Sequence, residues 1–140
     1  MENAQITLTT GLLGLESYTK FKFQPFEEGT PFYTLQSLES SDLSLIVMDP
    51  ALLVEAFAFD LGDDDVKELG ITDPDDVMVM VVLTVPENPQ DMTANLLGPL
   101  VINRTTNKGK QIVLHGSDWP VRYRVFAAAQ KAEAAAKGGK

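Results

Sequence analysis

The chain has 140 residues, a formal net charge of −9, 44% hydrophobic residues and no cysteine. That length suits one domain with a single core, and that apolar fraction argues against wholesale disorder. The missing cysteine excludes disulfides, thiolate nucleophiles and thiolate metal sites, and the acidity opposes nucleic acid and anionic lipid.

Gln5 to Thr9 alternates apolar and polar residues, the pattern of a short strand. Gly11-Leu12-Leu13-Gly14 is an apolar turn. Tyr18 to Gln24 sets Phe21 and Phe23 two apart, a strand that stops at Pro25. A loop through Glu27-Glu28-Gly29 leads to a second strand, Phe32 to Leu38. Leu43 to Met48 is a short buried strand stopped by Asp49-Pro50, and Val54 to Phe59 repeats period two through Phe57 and Phe59. The period then changes. Asp63 to Leu69 carries acids in its first turn, Val66 and Leu69 three apart and Gly70 just after, which predicts one short helix.

Val77 to Val85 is almost wholly apolar and rich in valine, as expected of a central strand covered on both faces. Leu96 to Asn103 predicts another strand, with Pro99 implying an edge or a bulge. Asn107-Lys108-Gly109 predicts a hairpin turn into Gln111 to His115, and Val121 to Val125 a last strand. From Phe126 the chain turns to alanine, lysine and glutamate, so residues 126–140 read as a terminal helix, a fraying tail or a linker. The expected fold is mainly all-β: an antiparallel barrel-like or sandwich domain over residues 1–125, with one internal helix. The N-terminus lacks the basic and apolar regions of a signal peptide, and no apolar run approaches the ~20 residues that span a bilayer. A cytoplasmic protein without a membrane segment is expected.

Catalysis by a nucleophile needs a base beside it, and His115 is the single histidine. Ser117 and Asp118 are its neighbours in sequence, but triads are built in space rather than by adjacency. The acids around Asp63 fail the calcium-loop test. That loop needs glycine at its sixth position and glutamate at its twelfth, and counting from Asp63 these are Glu68 and Pro74. No phosphate-binding glycine loop is present. A protein that is not an enzyme, with no cofactor and no metal, is expected. The bases Arg104, Lys108, Lys110, Arg122 and Arg124, with Trp119 and Tyr123, are a weak version of a nucleic-acid face, opposed by the net charge.

Charge is unevenly placed. Residues 55–91 hold eleven acids and one base, whereas residues 92–140 hold two acids and eight bases. The acidic middle suits either a basic partner or a solvated surface. Asp91, Thr93 and Asn95 are short polar groups before a strand, able to shape a loop or to meet a partner. Asn103 at the strand end has the same two readings, while Met92, Leu96, Leu97 and Ile102 suit the core.

The segment from Val85-Pro86-Glu87-Asn88-Pro89 through Asp91-Met92-Thr93-Ala94-Asn95 to Leu100-Val101-Ile102-Asn103 resembles the signature of the FliW family. Gly11–Glu16, Pro31–Ser37, Val47–Pro50, Leu69–Pro74 and Gly109–Leu114 also resemble family segments, in the family's order. The resemblance covers about residues 5 to 125; the tail matches nothing in it. It implies a β-barrel-like fold and a non-enzymatic, cytoplasmic flagellar assembly factor. It further implies two alternating partners, flagellin and the translational regulator CsrA, with a flagellin chaperone lacking the CsrA role as the alternative. Because an RNA-binding regulator must present basic surface, some of Asp63, Asp64, Asp65, Glu68, Asp73, Asp75 and Asp76 are expected to face CsrA, with Asp91, Thr93, Asn95 and Asn103 as further contact candidates.

Overall fold

A computed structural model describes residues 4–126. Nine strands form in chain order: β1 Ala4–Leu8, β2 Lys20–Pro25, β3 Tyr33–Ser37, β4 Ser44–Met48, β5 Val77–Thr84, β6 Thr93–Ala94, β7 Leu100–Asn103, β8 Lys108–Gln111 and β9 Tyr123–Arg124. One α-helix, α1, spans Asp63–Glu68, and single 3-10 turns form at Pro50–Leu52, Pro74–Asp76 and Pro89–Asp91. Each 3-10 turn starts on a proline preceded by Asp49, Asp73 or Asn88, whose side chain accepts a backbone N–H two residues on. The proline fixes φ and lacks a donor, so it suits the first position of a helical turn.

Seven strands close into a barrel in the order β4-β3-β2-β1-β8-β7-β5, and β5 pairs back onto β4. All neighbours are antiparallel except β1 and β8, which run parallel and bring the first strand beside the last hairpin. A barrel therefore replaces the sandwich alternative.

β5 is the strand on which the rest is organised. One edge pairs with β4, while the other pairs first with β7 and then with β6. Its alternate side chains fill two cores. Met78, Met80 and Val82 point into the barrel with Ile6, Leu8, Phe21, Phe23, Leu35, Val47, Leu100 and Ile102. Val81 and Leu83 face outward, where Met48, Met92, Ala94, Leu96 and Val125 cover them. This two-sided burial explains the near-continuous apolar run. At ~25 cal/mol per Å² of apolar surface removed from water, such burial is the main stabilising contribution.

Several expected elements differ. Val54 to Phe59 is a loop, because Ala56 adopts φ 54° and breaks the extended path. Its aromatics pack on one another and on Trp119 instead, with ring centroids 5.8 Å apart for Phe57–Phe59 and 4.8 Å for Phe57–Trp119. The strand expected from Leu96 begins only at Leu100, so Pro99 precedes the ladder rather than interrupting it. Gly109 is not a turn residue. The turn ends at Asn107, with φ 59°, and Gly109 lies inside β8. A Cβ there would meet Ile102 and Leu8 side-chain atoms at 3.1 Å, so the glycine permits close packing of β1, β7 and β8. β8 ends at Gln111, and β9 is shorter than the strand expected from Val121. The helix matches its expectation, with Gly70 at φ 66° just past its end. The expected tail structure from residue 127 onward lies outside the described residues.

Candidate protein-binding surfaces

The expected site residues fall into two groups at opposite ends of β5. The acids Asp73, Asp75 and Asp76 lead directly into Val77, the first residue of β5. Asp91 and Thr93 sit beside Thr84, its last, because Thr84 pairs with Thr93. Seven strand steps at ~3.3 Å each separate the two groups by roughly 23 Å.

At the first end, α1 is tied to the barrel by polar contacts. Asn103, only 1% exposed, donates from Nδ2 to Leu69 O at 2.8 Å, and its Oδ1 accepts Thr105 N at 2.9 Å. Both halves of this amide hold backbone, so Asn103 shapes the α1-to-barrel junction and presents nothing to solvent. Lys110 Nζ lies 2.7 Å from Asp65 Oδ1 and 3.0 Å from Glu68 Oε2. Its ammonium is held above the ordinary lysine range, first by the bond to Asp65 and then by that to Glu68. Glu68 also accepts Thr9 Oγ1 at 3.1 Å. Asp65 and Glu68 are thus partly neutralised. Asp63, Asp64, Asp73 and Asp75 are exposed, Asp76 is half-buried, and none forms an ion pair among the described residues. Lys67, Arg104 and Lys108 share this end, so the acids are diluted by bases that sequence order kept apart. Among the described residues, no three acidic or histidine side chains converge to hold a metal ion.

At the second end, Asp91 is exposed and pairs with Arg124 of β9 at 3.1 Å. Thr93 is half-buried in β6. Asn95 accepts Leu97 N at 3.0 Å and Gly98 N at 2.9 Å, fixing the turn before β7. Gln111 completes the corner by accepting Leu13 N and donating to Gly98 O, each at 3.1 Å. Asn95 and Gln111 line a groove of mixed polarity, about 310 Å³, together with Leu12, Leu15, Leu45, Val82, Thr84 and Arg122. Leu13 and Val121 also line it and are 70% and 53% exposed. The sequence reading missed Leu13, Gln111 and Val121 as surface candidates; only the fold brings three distant segments together there. A turn with two adjacent leucines between glycines was the one available signal.

His115 is exposed and lines a separate groove with Asp60, Asp65, Ser117 and Trp119. Among the described residues, no hydrogen bond joins its imidazole to a hydroxyl or a carboxylate. No helix among the described residues is long and apolar enough to cross a membrane.

Comparison with known proteins adds the following. The family profile described as FliW protein matches residues 1–125. The flagellar assembly factor FliW of Bacillus licheniformis is 38% identical over 118 residues, covering 84% of this chain and 82% of that protein. The corresponding factor of Natranaerobius thermophilus is 34% identical over 126 residues, covering 89% and 83%. A crystal structure of the flagellar assembly factor FliW superposes with a TM-score of 0.80 at 30% identity, covering 89% of this chain and 87% of that one.

Proposed function

The chain belongs to the FliW family, and from that premise we propose that it is a flagellar assembly factor acting by protein binding. In this reading it holds flagellin in the cytoplasm and, once flagellin is exported, binds and antagonises CsrA. Flagellin supply would then regulate its own translation. The observation that carries the reading is the match along residues 1–125, which includes the whole closed barrel rather than one motif.

The acidic end of β5 supports a basic partner. Its exposed, unpaired Asp63, Asp64, Asp73 and Asp75 would steer a basic surface and repel RNA phosphates beside it. Asp65, Glu68 and Asp76 add to the field from half-screened positions. Asp91, Thr93 and Asn95 are the second partner-facing candidates, with Asn95 in the groove that Leu13 and Val121 also line.

Titration of the purified chain with flagellin and with CsrA, singly and in competition, tests the proposal. Binding of both, each displacing the other, is the expected result. Binding of flagellin alone would leave a simple chaperone, and binding of neither would remove the reading.

A further inference from the structure

A third groove lies on the acidic end, between α1 and the segment that enters β5. It encloses about 550 Å³ and is lined by Phe59, Leu61, Val66, Ile71, Pro74 and Val77. Of these six apolar residues, five are half-buried and Pro74 is exposed. None belongs to the buried clusters of either core. They form a contiguous apolar strip with one face in water, the condition that marks interaction surfaces.

Acids predominate around this strip, although Arg104, whose backbone N–H donates to Asp76 O, lies at the same end. Asp60 lines the groove itself. Asp63 precedes Val66 by three residues on α1, so the two share a helix face. Asp73 and Asp75 flank Pro74. None of these four carboxylates is ion-paired among the described residues. Lys67 is the one base of α1. Asp65 and Glu68 also lie three apart, but they occupy another face of the helix, turned to Lys110. The helix therefore divides its acids: Asp65 and Glu68 anchor it to β8, while Asp63 shares the face of Val66 beside the cleft.

From this geometry we infer that the cleft docks a basic amphipathic helix of a partner protein. Its apolar side chains, spaced i, i+3 or i+4 and i+7, enter between Phe59, Val66 and Ile71, and its flanking Lys or Arg residues meet Asp60, Asp63, Asp73 and Asp75. Charge complementarity selects the occupant, since an acidic or neutral amphipathic helix would leave four carboxylates facing no cation. The inference deepens the proposed function, because the regulator is the partner that must carry basic surface.

The test uses the full chain and two probes: purified CsrA, and a fluorescein-labelled 18-residue leucine–lysine amphipathic peptide with its leucine–glutamate counterpart. Ile71→Ser removes an apolar wall. The combined D63N, D73N and D75N variant removes charge, and asparagine keeps the acceptor that Asp73 offers to Asp75 N. A control, E27Q, E28Q and E87Q, removes the same charge elsewhere on the exposed surface. Ile71→Ser is expected to weaken both basic probes at least ~10-fold with an unchanged melting temperature. The groove triple should slow association about 10-fold at low salt and less at high salt, and the control by under about twofold.

Unchanged binding by Ile71→Ser, equal slowing by the control, or equal affinity for the leucine–glutamate peptide would overturn the inference. Self-association of the wild-type chain that Ile71→Ser abolishes would place a second copy in the cleft and overturn it too. Peptide binding lost in Ile71→Ser without any CsrA binding would sustain the cleft and remove the regulator. Failure of both probes to bind would remove both.

Discussion

The two ends of β5 use polar side chains in different ways. At the Val77 end, a buried asparagine and a lysine–carboxylate network fasten a helix to the barrel, and the remaining acids are left free at the surface. At the Thr84 end, Asn95 and Gln111 hold local turns beside a groove of mixed polarity, and the ion pair Asp91–Arg124 is exposed. The lesson is that polar residues adjacent in sequence divide between fastening and display only through their depth. Asn103 and Asp91 look alike as short polar groups, yet one is 1% exposed and the other is at the surface.

The sharpest break in this comparison is Asn103→Ala. It strips partners from Leu69 O and Thr105 N in a buried place, so a loss of about 2–3 kcal/mol is expected in urea unfolding. A loss below about 0.5 kcal/mol would mean that the α1 junction is held by something else. Next comes Asn95→Ala, which removes two turn bonds and should cost about 1–2 kcal/mol by the same measurement. If it costs as much as Asn103→Ala, the two ends are not distinguished by depth.

Lys110→Met should cost about 1 kcal/mol, since the ion pairs it removes are only partly shielded from water. This effect has a pH signature. The folded-state value of Lys110 is raised, so its stabilisation is complete below the unfolded lysine value of ~10.4 and is lost as pH rises through the folded one. Wild type should therefore converge on Lys110→Met in alkaline melts, and parallel curves would contradict the network. The smallest effect is expected for Asp91→Ala. Its pair with Arg124 is exposed on both sides, so the change should stay within about 0.5 kcal/mol and vanish in high salt. A larger loss would show that the short β6–β9 pairing depends on that contact.

Much of the fold was legible in the residues themselves. Period-two alternation in β1 to β3 and the apolar run of β5 located strands, and acids followed by Gly70 located α1. These are local signals, because a strand must bury alternate side chains and a helix must end its backbone bonding somewhere. Phe57 and Phe59 misled for the same reason. Their spacing copies a strand, but Ala56 turns the chain left-handed and Trp119, 62 residues beyond Phe57, takes up its ring. Gly109 misled in the opposite sense: glycine signals a turn, yet here it makes room for Leu8 and Ile102.

The sequence by itself determined that the chain is β-rich, acidic in its middle and similar to one family over about residues 5 to 125. It could not determine which polar residues face water, that β1 lies parallel to β8, or that Leu13, Asn95, Gln111 and Val121 meet in one groove. Those features rest on contacts between segments far apart in the chain. Barrel closure decides them, because joining β5 to β4 fixes at once which face of every strand is core and which end of the barrel each loop occupies.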